Sequence, residues 1–262
     1  MDGRQDGQGR IGRQSRQGRQ DGQGRQGVQG RHELKYHINY ADYMQLKAIL
    51  SVIAKPDENA VEGGGYKIRS LYFDNYEDKA VVDKLSGQSA REKFRLRYYN
   101  DDISFIRLEK KSKSDRFTYK ESVIVSQECC SAILTGNYDY LKALGSQLGG
   151  KHEAFGEKLY MELYAKIGYQ NLRPRTIVDY RREAYTYRAG NVRITFDSNI
   201  RSSNNAAGFL QPKSVTIPSA AGTIILEIKY DGFLPDLFQS IIKLPSRSQT
   251  EFSKYVAARL VN

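Results

Sequence analysis

From residue 31 onward, polar and apolar residues alternate in short runs. The period is that of a β-strand, which sends successive side chains to opposite faces. In REKFRLRYY (91–99), Arg91, Lys93, Arg95 and Arg97 take one face, and Phe94, Leu96 and Tyr98 the other. HELKYHI sets Glu33, Lys35 and His37 against Leu34, Tyr36 and Ile38; FIRLEKK sets Arg107, Glu109 and Lys111 against Ile106 and Leu108. NVRITFD divides Arg193, Thr195 and Asp197 from Val192, Ile194 and Phe196, and IILEIKY divides Glu227 and Lys229 from Leu226, Ile228 and Tyr230. Further strands are predicted at 66–74, 117–125 and 176–187. Turn signals such as YNDD and RAGN make most neighbours antiparallel hairpins.

Four stretches have helical period instead. NYADYMQLKAILSVI places Tyr43, Leu46, Leu50 and Ile53 on one stripe behind Asn39 as cap. Residues 127–145 and 153–169 follow, the second with Phe155, Leu159, Leu163 and Ile167 at i+4 steps; 248–260 carries Phe252, Tyr255 and Val256. The first thirty residues show neither period. They hold nine Gly, eight Gln and almost no apolar side chain in a ragged GRQ/DGQ repeat. Such a segment cannot bury enough surface to offset its ordering, so a disordered leader (1–30) and one α+β domain (31–262) are expected.

Solvated sheet faces usually mix charge signs, because opposite charges on one face help each other. Residues 91–97 do not mix. Same-face neighbours roughly 7 Å apart repel by about 0.6 kcal/mol in water, and by about 2.4 kcal/mol at an effective dielectric near 20. Inside a closed barrel such a row needs an anion. If helices cover the apolar faces, the charged ones have only a lumen left. The expected fold is therefore an eight-stranded antiparallel β-barrel, helices packed outside, around a basic tunnel for phosphate chains and a metal.

Charge agrees. The chain is +11, of which six Arg and three Asp put +3 on the leader and leave +8 on the folded part. A domain so basic usually meets a polyanion. No run of 18 apolar residues exists, so no transmembrane segment is expected. The only cysteines, Cys129 and Cys130, are adjacent, which suits neither a disulfide framework nor a zinc site, and a reducing cytoplasm is the expected location.

ELKY, IRSLYFDN, KLSG, REKFRLRYY, RLEKKSK, YRREAY, VRITFD, LEIKYDG and EFSKY occur in this order across 33–255. Together they resemble the polyphosphate polymerase domain of the vacuolar transporter chaperone (VTC) family, within the triphosphate tunnel metalloenzymes of CYTH-like fold. The resemblance implies an enzyme that moves the γ-phosphate of ATP to the end of a polyphosphate chain and releases ADP, with Mn²⁺ or Mg²⁺. It matches Arg95 and Arg97 to a basic pair holding the triphosphate, and Lys35, Lys111, Lys120, Arg182 and Arg193 to further phosphate contacts. Glu227 matches the metal-binding glutamate, with Glu109 or Glu33 as its companion. Lys254 matches a lysine reaching into the tunnel, and Lys84 a cation near its mouth. Arg91, Lys93 and Lys229 join the substrate face, Lys93 and Arg107 being equally readable as rim charges. Glu109 reads more simply as a salt-bridge partner of a tunnel lysine, Asp74 as a turn residue, and Tyr72, Tyr98 and Tyr99 as packing.

The sequence departs from hydrolytic and cyclase relatives at their Glu-x-Glu-x-Lys signature. Here the stretch is Arg31-His32-Glu33-Leu34-Lys35, so a cation replaces the first carboxylate. ATP and polyphosphate are the expected partners, with a membrane protein as a further recipient of product. Three rivals stand beside this reading: a non-catalytic polyphosphate binder, a triphosphatase or cyclase of the same fold, and a nucleic-acid-binding module, for which no motif is present.

Overall fold

The alternating runs become the strands of one curled antiparallel sheet. The computed structural model describes residues 31–60, 64–114, 117–147, 154–243 and 247–261, so the leader expected to be disordered lies outside the described residues. In chain order the elements are β1 (Arg31–Ile38), α1 (Tyr40–Ile53), β2 (Lys55–Pro56), β3 (Tyr66–Asp74), α2 (Lys79–Leu85), β4 (Arg91–Tyr99), β5 (Asp102–Ser114) and β6 (Phe117–Val125). They continue as α3 (Gln127–Thr135), α4 (Asp139–Gln147), α5 (Ala154–Tyr169), β7 (Arg173–Tyr187), β8 (Val192–Ser203), β9 (Ile217–Pro218), β10 (Ile224–Asp231), α6 (Asp236–Ile241) and α7 (Lys254–Val261). The long strands run in the order β1-β10-β8-β7-β3-β4-β5-β6, with β2 and β9 as short attachments. The sheet bends until Lys111 of β5 reaches Glu33 of β1 at 3.8 Å, although these strands lie far apart in the ladder.

Two apolar clusters cover the outer face. Leu159, Tyr160, Leu163 and Ile167 of α5 lie against Phe94, Leu96, Tyr98, Ile106 and Leu108, so the helix is the scaffold its stripe predicts. Leu46 and Leu50 of α1 and Phe238 of α6 cover Ile38, Ile194, Phe196, Leu226 and Ile228. The entry of α1 follows the expected cap: Asn39 accepts from the Asp42 amide, and Asp42 returns the bond to the Asn39 amide. The third cluster is internal. Tyr255, Val256 and Ala258 of α7 join Ile68, Tyr72, Val178, Tyr180, Ile200 and Ile225, so α7 packs against the inner face.

Some boundaries moved. The helix predicted over 127–145 divides at Gly136, whose φ of 82° caps α3 in the left-handed region that glycine enters without strain. The helix predicted over 248–260 starts later, at Lys254. Helices α2 and α6 were not anticipated; at seven and six residues they are too short to display a period.

Cations on the outer face of the sheet serve the fold. Arg69, 1% exposed, makes a two-pronged ion pair with Asp179 (2.8 and 2.7 Å) and donates to the Ser214 hydroxyl (2.9 Å), which ties the segment 206–216 to the sheet. Lys110 is held by Glu162 of α5, with Glu92 and Glu121 nearby. Removing one member of a buried pair strands the other, at a cost of about 3–5 kcal/mol. Asp179→Ala is therefore expected to lower the unfolding free energy by about that amount in urea titration. Asp83→Ala, which breaks the half-exposed Lys79–Asp83 pair on α2, is expected to cost under about 1 kcal/mol.

Candidate functional site

Because the apolar faces turn outward, the charged faces of β1, β10, β8, β7, β3, β4, β5 and β6 share one interior. Register sets which side chains meet there. Arg95 opposes Tyr72 of β3 and Glu109 of β5, and Arg97 opposes Ser70. Arg95 donates from Nε to Glu109 Oε2 (2.7 Å) and from Nη1 to the Tyr72 hydroxyl (3.2 Å). Arg97, 6% exposed, donates to Ser70 Oγ (3.0 Å) and the Tyr180 hydroxyl (3.1 Å). Lys120 of β6 reaches the other Glu109 oxygen at 2.6 Å. Burial would push the Glu109 carboxyl up, but Arg95, Arg97 and Lys120 outweigh it and bring it down to about 2.

A second group gathers on Asp197, which is fully buried. Arg182 binds it through two bonds (2.6 and 2.7 Å), and Lys254 of α7 reaches Oδ2 at 2.5 Å. Burial opposes the Asp197 charge, and these two cations restore it, so its carboxyl lies below the usual range. The Tyr180 ring joins the two groups: Lys254, Arg182 and Arg97 stand 4.7, 5.5 and 6.0 Å from its centroid.

The third group lies on β1 and β10. Glu227 pairs closely with Lys229 and stands 3.8 Å from Lys35. Glu33 pairs with Lys35 and, more distantly, with Lys111. Although burial favours the neutral acid, Lys229, Arg182 and Lys35 hold the Glu227 carboxyl well below its ordinary value. Arg193 is nearby on β8 but bonds to Asp57 (2.7 Å) and the Tyr66 hydroxyl (3.0 Å).

The structure thus brings Lys35, Lys93, Arg95, Arg97, Lys111, Lys120, Arg182, Lys229 and Lys254 into one interior with Glu33, Glu109 and Glu227. Lys84 and Arg91 stand apart from it. Lys84 on α2 pairs with Glu251, and Arg91 donates to the Gln88 carbonyl (2.6 Å). Arg91 and Lys93 also border a cavity of about 280 Å³ with Lys79, Asp83 and Lys113. Sequence reasoning missed Tyr180, Ser70, Tyr66, Asp57 and Asp197 as partners of the cations. The one available signal was alternation, which puts Tyr180 on the face of Arg182, and Ser70 on that of Tyr72.

Among the described residues, no group of three or more His, Cys, Asp or Glu could by itself hold a metal ion. A hard divalent cation asks less of the protein, since it takes most ligands from water and phosphate oxygens and needs one or two carboxylates. Glu227 and Glu33 suit that role, being diagonal neighbours on paired strands that feel each other's charge. Opposite Glu227, Thr195 Oγ1 is buried without a hydrogen-bond partner, an orphan that a bound cation or its water would satisfy. Glu109 is not placed with them. Its oxygens are taken by Arg95 and Lys120, which makes it a counter-ion.

The family profile described as "VTC domain" matches residues 30–261. None of the curated proteins matches the chain in sequence. Among solved structures, a candidate adenylate cyclase from Bacillus halodurans is similar at 14% identity and a TM-score of 0.48, over 86% of this chain and 95% of its own. A Pyrococcus horikoshii protein follows at 13% identity and TM-score 0.43, over 88% and 98% of the two chains. A candidate adenylate cyclase from Vibrio parahaemolyticus reaches 10% identity and TM-score 0.37, over 81% and 82%.

Glu109 supplies a test of the charge balance. Its carboxyl is depressed in the folded state to about 2. Stability from its ionised form is therefore full above the unfolded value near about 4.3 and is lost as pH falls towards 2. The stability gap between wild type and Glu109→Gln, followed by urea titration across pH, is expected to be widest above about pH 4.5 and to close on acidification.

Proposed function

The chain belongs to the VTC-domain family, and from that membership we propose a metal-dependent polyphosphate polymerase that transfers the γ-phosphate of ATP to the end of an inorganic polyphosphate chain and releases ADP. The observation that carries the reading is the convergence of Arg97, Arg182 and Lys254 around one ring, Tyr180, inside the curled sheet. Phosphoryl transfer needs little covalent help from protein; positioning and compensation of charge supply most of the rate.

Each residue type has a role in this scheme. Arg95, Arg97 and Arg193 carry planar forks that can hold two phosphate oxygens at once and fix the triphosphate. Lys35, Lys111, Lys120 and Lys229 offer point charges along which a chain can shift. Lys254 brings a cation from α7 to the same interior, and Arg182 sets its position through the shared Asp197. Glu227 and Glu33, with Thr195 beside them, are the residues that would hold Mn²⁺ or Mg²⁺; the ion would supply Lewis-acid charge to phosphate oxygens. The terminal phosphate of the acceptor is already anionic near neutral pH, so it attacks in line without a base. The two cysteines are buried free thiols, which suits the cytoplasmic location we assign. No described helix is long and apolar enough to cross a membrane, and a separate membrane protein is the partner we propose for receiving product.

The test is incubation with ATP and Mn²⁺, with polymer followed by gel staining and ADP by chromatography. Wild type is expected to make long polymer. Arg97→Ala is expected to lose at least about 100-fold in rate, the usual cost of removing a donor to developing charge. Tripolyphosphate should raise the wild-type melting temperature, since only the folded state binds it. Binding without polymer would replace the proposal with the non-catalytic reading, and release of free phosphate with the triphosphatase. Full polymer synthesis by Arg97→Ala would remove Arg97 from the machinery.

A further inference from the structure

Tyr72 occupies an unusual place on the inner face. Its hydroxyl accepts from Arg95 Nη1 at 3.2 Å, and among the described residues it donates to nothing. The side chains facing it from β4 are Lys93, Arg95 and Arg97, all donors; Lys93 and Arg95 stand 5.8 and 5.9 Å from its ring. Its strand neighbour on β7 is Thr176, which is neutral. From α7, Tyr255 stacks on the ring at 4.9 Å, but the Tyr255 hydroxyl donates to Asp74, so that carboxylate is engaged elsewhere. Behind β4, Glu109 is bound by Arg95 and Lys120, while Lys111 and Lys35 add positive charge around Lys93. A phenol surrounded in this way, 4% exposed, has cations to accept from and no acceptor for its own proton.

We propose that Tyr72 is the tunnel's resident anion: its phenolate holds Lys93 and Arg95 while the channel is free, and takes up one proton when a phosphate chain arrives and claims the same cations. The inference rests on the phosphate-chain reading above and adds to it a residue that governs entry. The exchange balances: a proton from solvent converts O⁻ to OH, and the negative charge that leaves Tyr72 is replaced by that of the phosphate. The electrostatics run the same way. Burial would push the phenol up, yet Arg95, Lys93 and Arg97 draw it down to about 7. Burial pushes the Lys93 ammonium down to about 8, with Tyr72 pulling it back up. Proton uptake on binding makes affinity fall with rising pH once the phenolate dominates, about tenfold per pH unit for one linked proton.

The composition favours a direct test. The chain has 19 Tyr and no Trp, so the near-ultraviolet phenolate band is not masked by indole. Absorbance at the tyrosinate band is titrated on the full chain in phosphate-free buffer. A step of one tyrosine is expected near pH 7. The step should vanish in Tyr72→Phe and persist in Tyr76→Phe, which alters an exposed ring; thermal melting confirms that both variants are folded. Saturating tripolyphosphate should abolish the step below pH 9 in wild type. The inference is overturned if every tyrosine ionises above pH 9, if the step survives Tyr72→Phe, or if tripolyphosphate raises the melting temperature and leaves the step unchanged. A step at pH 7 with no melting shift would instead remove the phosphate-chain reading and the exchange with it, leaving Tyr72 as a fixed counter-anion.

Discussion

The structure depends on how an excess of positive charge is held inside a curled sheet. Lys35, Lys93, Arg95, Arg97, Lys111, Lys120, Arg182, Lys229 and Lys254 share the interior with fewer carboxylates among the described residues, chiefly Glu33, Glu109, Asp197 and Glu227. Each acid is therefore divided among several cations. Glu109 serves Arg95, Arg97 and Lys120, and Asp197 serves Arg182 and Lys254. Taking charges from water is costly, and pairing returns that cost only where the geometry is good and the remaining donors are satisfied. Two-pronged bonds such as Arg182–Asp197, and hydroxyls such as Ser70 and Tyr180, meet those conditions. The balance still leaves cations in surplus, and an anionic ligand would complete it.

What forces the cations inward is the apolar side of the same strands. Phe94, Leu96 and Tyr98 are almost fully buried under α5, and Ile194, Phe196, Leu226 and Ile228 under α1 and α6. A one-residue slip in register would exchange the faces and lose both clusters, so hydrophobic burial fixes the direction of every charge. Several basic residues on the outer side, by contrast, have structural partners. Arg69 fastens the 206–216 segment, Arg201 donates to Thr216, and Lys110 and Lys166 bind acids of β4 and α5.

Helix α7 connects packing with function. Its apolar residues Tyr255, Val256 and Ala258 lie against the inner wall, which carries Lys254 to Asp197. Arg259 of the same helix makes a two-pronged bond to Asp78 beside α2 (3.0 and 2.7 Å). The helix is thus anchored at both ends, and its lysine is placed by burial rather than by a flexible tail. The interior is firm where Arg97 and Asp197 are buried, and more open at Lys111 and Lys120, whose side chains are about half exposed.

Much of this was legible in the chain. Strand alternation is local, with a period of two, so REKFRLRYY by itself places Arg95 and Arg97 on one face and Phe94 and Leu96 on the other. Asn39 announced a helix start, and the stripe at 159, 163 and 167 announced a covering helix. The partners of the cations were not legible. Arg97 meets Tyr180, Lys254 meets Asp197, and Arg193 meets Asp57, all pairs far apart in sequence. Nor could alternation tell that Glu109 would be claimed by three cations while Glu33 and Glu227 became neighbours. The amino-acid order determines which face each side chain takes, because that follows from backbone geometry one residue at a time. Which charges share that face at bonding distance was decided only by strand order, register and curvature, which are properties of the whole sheet.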